Sequence, residues 1–383
     1  MDVRVTAVAS ADYAAVCRRV LLASTHGCVF GDILERSYID KSDFAQLATV
    51  EDRIRHMAQG GIWKKAWCYR HHRYCKCPHT DIDISGSPCT AHSRIGRRAG
   101  GLDPNFQCLL TWANAHIKSQ TPILIHENVV GFEFSLVESI FGRHYHCTRL
   151  KVCTGDVGFS KLVRRVRYYD VLVHKSRAQI VTPLQQLYDH VIAAFREHIP
   201  QPELTQGSFL LASESEIEDA TGRIRASRRA GSCSDPLQSY TDKQCKNLRV
   251  YKTQFKKQFG GRACKRALFH LNDNPKKRIV WSGRDGCLPT IRKAMGPIHS
   301  MEVDRQVTAR EAMTAMGFVV FEDLAVASGL EQTLPEDFVG SPGTMSCLGN
   351  AMHQTNCSVV LAVTLAATRP FSKYERAFHD YAA

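Results

Sequence analysis

The chain has no long apolar run. Its best, Ser358 to Ala367, falls short of the roughly 18 residues a membrane-crossing helix needs. It does not open with a basic stretch leading into an apolar one, so it reads as lacking a secretory signal. Glycine and proline are sparse, 25 and 14 residues in 383, which excludes collagen-like and low-complexity chains. There are no internal repeats. Acidic residues are in deficit, 37 against 50 Lys and Arg, leaving a net charge of +13. What is present is a 44% hydrophobic share, enough to bury a core, and a length two to three times that of a usual domain. The fifteen cysteines are odd in number and too thin for a disulfide scaffold, so reduced thiols are expected. The expectation is a soluble intracellular protein that meets a polyanion and no membrane.

Strand-like and helix-like signals alternate along the first half. Val3 to Ala9 and Cys28 to Phe30 read as short strands around a helix at Ala14 to Leu22. Residues 34 to 80 read as charged and irregular, with a Cys/His-rich knot at Trp67 to His79. Asp81 to Ile84 reads as a strand, Phe106 to Lys118 as a helix, and Pro122 to Ile125 as a strand buried on both faces. A helix at Ser135 to Phe141 and a strand at Arg167 to Val173 complete an α/β pattern with a parallel sheet. Pro183 to Ile199 fits an amphipathic helix. The polar stretch to about Tyr240, including Ser213-Glu214-Ser215-Glu216, reads as a linker. Lys243 to Arg278 is strongly basic, with Tyr251, Phe255, Phe259 and Phe269 interleaved. Helical periodicity returns at Thr308 to Met316 and near Val359 to Ala366.

Three features carry chemistry. Cys89 lies at a Gly/Pro turn just past a strand end, where α/β proteins place reacting groups. A nucleophilic thiolate needs exposure and positive surroundings there; an inert buried cysteine is the alternative. Glu127 follows the buried strand at the same sheet edge, placed to give a proton, unless it only caps the next segment. Arg165 and Arg167 alternate on a strand and so face one way, toward this site or toward solvent.

The ordered set Gly31-Asp32-Ile33, Pro88-Cys89, Glu127-Asn128-Val129, Arg165-Val166-Arg167 and Gly349-Asn350-Ala351 resembles the cytosine-5 DNA methyltransferases. Leu288-Pro289-Thr290-Ile291 and the block Arg305 to Met313 resemble the segments after that family's target-recognition region. The resemblance is scattered over residues 5 to 365. It implies a Rossmann-like methyltransferase sheet with a smaller basic recognition region. The domains it implies are a catalytic core at 1–175 with a Cys/His-rich insertion at 34–80, a target-recognition region at 176–300 with a polar linker at 200–242, and a return to the core at 301–383. It further implies methyl transfer from S-adenosylmethionine to C5 of a cytosine flipped out of DNA. Cys89 would attack C6, Glu127 would hold and protonate N3, and Arg165 would secure Glu127 and the base, with Arg167 beside it. Asp32, Ile33, Pro88 and Asn350 match cofactor-binding positions. Ser93, Asn128, Thr290, Lys256 and Lys257 match the substrate-binding side. RNA as substrate, or a catalytically impaired nucleic-acid binder, are the alternatives. The location implied is nuclear in a eukaryote and cytoplasmic otherwise.

Several positions depart from the family pattern. The glycine-rich cofactor loop has no counterpart here, so the sheet is expected to lack its first strand, in a fragment or a weakened enzyme. Asp12 stands nearest to the ribose-binding acid, Val163 replaces a glutamine, and Ser87 and Thr90 flank the Pro-Cys pair unusually. Cys68, His71, His72, Cys75, Cys77 and His79 could assemble a tetrahedral zinc site. Their spacing fits no standard finger, and the segment is read as a basic insertion with no metal ligand. The Lys243 to Arg278 segment has lysines for phosphates and aromatics for stacking, the footprint of a nucleic-acid surface, against the alternative of a solvated helix face.

Overall fold

The computed structural model describes residues 5–93, 98–156, 162–198, 205–228, 240–264, 266–276, 281–282, 287–292, 296–331, 334 and 344–372. The front of the expected first strand (Val3-Arg4), Ile199 of the expected amphipathic helix and residues 200–204 and 229–239 of the expected linker lie outside them. Two compact units divide the chain. The first takes Met1–Cys153, Val166–Glu197 and Asn356–Ala383, and the second takes Thr154–Arg165 and His198–Thr355. The chain therefore re-enters the first unit at Asn356, not at the residue 301 expected from the sequence.

The first unit starts with β1 (Ala9–Ala11), α1 (Ala15–Ser24) and β2 (Cys28–Phe30), the two strands parallel with Ala9 opposite Cys28. Among the described residues, regular structure begins at Ala9, later than the apolar run suggested. The segment expected to be irregular folds as α2 (Lys41–Gln46), α3 (Val50–Gln59) and the hairpin of β3 (Lys65–Cys68) and β4 (Arg73–Lys76). Most of its charges, Arg53 excepted, belong to the exposed sides of these elements. The Thr49 side chain accepts from the Asp52 N–H, and Glu51 and Asp52 occupy the first turn of α3, as a helix N-terminus favours. Arg53 is buried and donates to the carbonyls of Leu47 and Gly101.

The main sheet is built from β5 (Ile82–Gly86), β6 (Ile123–Val129), β7 (Tyr145–Val152) and β8 (Arg167–His174), in the order β5-β6-β8-β7. Only β5 and β6 are parallel; β8 pairs antiparallel with both β6 and β7. The fold is thus a mixed α/β arrangement whose main sheet holds one parallel pair, as in a Rossmann-like sheet, and no described strand joins β5 to β1. All but the last residue of β6 are buried, as expected for a strand covered on both faces. It extends to Val129, so Glu127 lies within the strand and not after it.

Helices α4 (Phe106–Ser119) and α5 (Phe134–Phe141) cover one face of the sheet. Phe106, Leu110, Trp112, Val137 and Phe141 meet Leu124 and Leu172 there, with Phe44 and Met57 from α2 and α3. Trp112 Nε1 donates to Asp83 Oδ1 at 2.8 Å, tying α4 to β5. A short strand β9 (Ala178–Ile180) pairs with Thr368–Pro370, and α6 (Leu184–His198) follows it. Among the described residues, no helix is long and apolar enough to cross a membrane.

In the second unit, the polar stretch expected as a linker contains α7 (Glu214–Arg228). Ser213 and Glu216 form a reciprocal cap: the Ser213 hydroxyl accepts from the Glu216 N–H, and Glu216 Oε2 accepts from the Ser213 N–H at 2.8 Å. Glu216 also pairs with Arg310. The basic segment forms α8 (Asp242–Cys264) and β10 (Leu268–His270). With β11 (Trp281–Ser282), β12 (Ile298–Ser300) and β13 (Arg305–Gln306), β10 makes an antiparallel sheet in the order β11-β10-β12-β13. Its interleaved aromatics do not form a stacking surface. Tyr251, Phe255 and Phe269 are fully buried together with Leu248 and Leu271, whereas Lys256 and Lys257 are exposed. The helical period explains this: Leu248, Tyr251 and Phe255 fall on one face of α8 and the lysines on the other.

This arrangement separates two kinds of substitution. Phe255→Ala is expected to destabilise the protein by about 3–5 kcal/mol, the usual cost of emptying an aromatic core site. Lys256→Ala and Lys257→Ala should stay within about 0.5 kcal/mol of wild type. Urea melts of the three variants check this; a neutral Phe255→Ala would return the aromatics to the surface.

Candidate active site

The parallel pairing of β5 and β6 places Gly86 opposite Glu127, so the loop after β5 and the C-terminal part of β6 share one sheet edge. Cys89 sits half-buried in that loop, beside the exposed ring of Pro88. Its carbonyl accepts from the backbone N–H groups of His92 at 3.1 Å and Ser93 at 2.9 Å, which closes the loop into a tight turn. Gly131 packs against this turn. A Cβ there would come within 2.3 Å of the His92 carbonyl oxygen, so only glycine allows the approach.

A row of polar side chains supports the loop from beneath. Three paired residues on adjacent strands, His126 on β6, Asp170 on β8 and Arg149 on β7, line up across the face covered by α4 and α5. Asp170 is fully buried. Arg149 forks onto both its oxygens, Nε to Oδ1 at 2.6 Å and Nη2 to Oδ2 at 2.9 Å. His126 Nδ1 lies 3.5 Å from Asp170 Oδ2 on the other side. His126 Nε2 shares a 2.9 Å hydrogen bond with Ser87 Oγ, and Asn128 Nδ2 donates to the same hydroxyl at 2.9 Å. The row therefore runs from Arg149 through Asp170 and His126 to Ser87, two residues ahead of Cys89. Burial pushes the Asp170 carboxyl up, but hydrogen bonds from Arg149 and His126 outweigh it and hold its pKa below the ordinary value.

Glu127 points to the opposite face of β6 from His126 and Asn128, as alternation requires. It is buried, and Arg167 Nε lies 3.0 Å from its Oε1. Cys357, on the helix Gln354–Ala367, belongs to the same environment. Its thiol is pushed up to about 11, first by burial and then by the Glu127 charge.

The remaining predicted residues fall as follows. Asp32 caps the short 3-10 turn Ile33–Arg36, its carboxylate accepting from the Leu34 N–H at 3.0 Å, and Ile33 packs against the core under α4. Asn128, matched to substrate binding, is buried with its amide committed to Ser87 and to the Val129 N–H. Arg165 lies ahead of β8, not on it, so the expected strand alternation with Arg167 does not exist. In the second unit Arg165 donates to the Ala351 carbonyl and Thr290 to the Arg164 carbonyl. Asn350, Lys256 and Lys257, in the same unit, are exposed. Sequence reasoning missed His126, Asp170 and Arg149. Each reads singly as an ordinary residue in a strand, and only cross-strand register brings them together. A depression of about 290 Å³ lined by Ala91, His92, Arg98, Gly100, Gly131 and Glu133 borders the Cys89 turn, but none of the predicted residues lines it.

No protein-family model and no curated protein matches this chain. Solved structures similar to it include the Dnmt2 methyltransferase of S. pombe, at 13% identity and a TM-score of 0.46, covering 94% of this chain and 91% of that one. A putative DNA modification methyltransferase from an E. coli prophage is 11% identical, with a TM-score of 0.43 over 94% and 99% of the two chains. The Entamoeba histolytica methyltransferase EhMeth is 13% identical, with a TM-score of 0.37 over 95% and 97%.

The buried row has a pH signature. Because the folded-state pKa of Asp170 is depressed, its stabilisation is present above the unfolded value of about 3.9 and is lost as pH falls through the folded value. Asp170→Asn, which leaves Arg149 facing a neutral partner, should cost about 3–5 kcal/mol at pH 7. The gap to wild type should narrow below about pH 4. Urea midpoints measured from pH 7 to pH 3 check this, and a gap that widens in acid would contradict it.

Proposed function

We propose that the chain is a nucleic-acid cytosine-5 methyltransferase, with DNA as substrate and Cys89 as its nucleophile. One observation carries the reading. A half-buried cysteine in a braced turn and a buried carboxyl group paired to an arginine lie at one edge of two parallel strands, with Gly86 opposite Glu127. This is the arrangement that attack on an electron-poor ring requires: a positioned nucleophile and a proton donor.

In the proposed reaction, the Cys89 sulfur bonds to C6 of a flipped cytosine while Glu127 gives a proton to N3, so no charge accumulates on the ring. The electron pair released at C5 would be available to the methyl group that the cofactor supplies, the pair of the broken methyl–sulfur bond staying on sulfur as a neutral thioether. Loss of the C5 proton to water then expels the Cys89 sulfur from C6, and N3 returns its proton to Glu127. Arg167 holds the carboxyl oriented throughout. The His126–Ser87 hydrogen bond keeps the Cys89 turn from shifting, which matters because small misplacements of a reacting atom are costly.

The donor set suits S-adenosylmethionine in part. Asp32 offers a carboxylate at the end of β2 and Pro88 an exposed apolar face beside Cys89; Asn350, in the second unit, is proposed for the cofactor on the sequence resemblance alone. When bound, the cofactor supplies an electrophilic methyl group on a sulfonium. Arg165, Thr290, Lys256 and Lys257, all in the second unit, are proposed for substrate contacts on the strength of the sequence resemblance.

A duplex containing 5-fluorocytosine tests the reading, because fluorine at C5 cannot leave as the proton does and the covalent adduct persists. With S-adenosylmethionine present, wild type should form an adduct that survives denaturation, and Cys89→Ser should form none. Glu127→Gln should slow adduct formation by about 10²–10⁴-fold, the range for losing a general acid. An adduct on structured RNA alone would move the substrate to RNA. Salt-sensitive DNA binding with no adduct on either would leave a binding module and end the catalytic proposal.

A further inference from the structure

The hairpin of β3 and β4 gathers a second set of reactive side chains, away from Cys89. Cys28 on β2, Cys68 at the end of β3, His71 in the turn and Cys75 on β4 place their Sγ and ring nitrogen atoms within 4.8 Å of one another. His71 Nδ1 is 3.3 Å from Cys68 Sγ, 3.5 Å from Cys75 Sγ and 3.6 Å from Cys28 Sγ. Zinc bound tetrahedrally at about 2.3 Å from sulfur and 2.0–2.1 Å from nitrogen sets sulfur and nitrogen about 3.6 Å apart, the separation seen three times here. The cysteines are unbridged.

We infer that Cys28, Cys68, His71 and Cys75 form a structural zinc site joining β2 to the β3–β4 hairpin. Three sulfurs and an imidazole form a soft donor set that suits Zn²⁺ and not Mg²⁺ or Ca²⁺. Four protein ligands leave no open position, so the site is structural and not catalytic.

The surroundings fit a bound cation. Three sulfurs held this close cannot all be thiolates unless a positive charge sits among them.

The local fold needs such a staple. β2 and β3 share a single ladder pair, Phe30 with Cys68, and the apolar cluster beneath contains only Phe30, Ala66 and Cys68 as buried members. Arg70 adds a clamp, donating to the carbonyls of Gly27 and Leu22 at 2.9 and 2.7 Å at the end of α1. Asp32 follows directly on this anchored strand, so the metal would fix its position without touching it. The sequence alone grouped six Cys and His residues here. It omitted Cys28, which is distant in sequence, and included His72, Cys77 and His79, which are not in the cluster.

Elemental analysis of the purified full-length protein, after dialysis against metal-free buffer, tests the inference. One zinc per chain is expected, lost in Cys28→Ser and in Cys75→Ser and retained in Cys77→Ser and His79→Ala. Replacement by Co²⁺ should give the absorption of a tetrahedral thiolate site in wild type and in Cys77→Ser. These spectra do not depend on the behaviour of the ligand variants, so a variant that fails to fold leaves the inference testable. Absence of zinc from wild type, two thiols missing on titration of the denatured protein, or zinc that persists in Cys28→Ser would each overturn it. The inference stands apart from the proposed role of Cys89, since neither its residues nor its readouts involve that site.

Discussion

A carboxylate buried as completely as Asp170 is tolerated only when its charge is met, and meeting it organises the first unit. Arg149 and His126 must sit on the two strands flanking β8, at positions directly opposite Asp170. That requirement fixes the register of β7 and β6 against β8 together. A slip of one residue would turn all three polar side chains to the wrong face and leave a bare charge in the core, at a cost of several kcal/mol. Hydrophobic pairs alone, such as Leu124 with Leu172, would specify that register less sharply, because neighbouring positions on β8 are also apolar.

Strand β6 then serves two purposes through simple alternation. Leu124, His126 and Asn128 face the α4 and α5 layer, where the last two brace Ser87 and the turn that carries Cys89. Ile123, Ile125 and Glu127 face the other way, and Glu127 meets Arg167 and the surroundings of Cys357. The supporting residues and the Glu127 carboxyl are thus adjacent in sequence but on opposite sides of the sheet. The register set by Asp170 places them both.

Much of this was legible before any coordinates. The apolar runs at Cys28 to Phe30 and Ile123 to Ile125, and the helix at Phe106, were readable because their burial leaves an unbroken apolar pattern. Cys89 was readable as a residue just past a strand end, whereas Glu127, read at the same place, lies within β6. The misses have physical causes. In α3 and α7, exposed charges outnumber the apolar residues on the covered side, and the signals that survived were local caps: Thr49 with Asp52, and Ser213 with Glu216. The aromatics of α8 were taken for a surface because they alternate with lysines, yet their spacing follows one helical face. The Arg149–Asp170–His126 row and the approach of Cys28 to His71 depend on pairing between distant strands, which no local pattern encodes.

A motif shared with a family can be kept for chemistry or for folding, and the side-chain partners distinguish the two. Glu311, in the block Arg305 to Met313, is fully buried. It takes a fork from Arg305, the Thr308 N–H at 2.8 Å and the Ala212 N–H at 3.2 Å, so its oxygens are occupied by the cap of α9 (Ala309–Ala315) and by neighbouring backbone. Asn128 likewise spends its amide on Ser87 and on its own strand. Both residues look functional when the motif is read as a string, and both are explained by the fold. Glu127 differs: it is ion-paired with Arg167 at a sheet edge, beside a turn closed by backbone hydrogen bonds to the Cys89 carbonyl. The chemistry proposed for these motifs therefore rests on Cys89 and Glu127, and the hydrogen-bonded residues around them hold the turn and the strand in place.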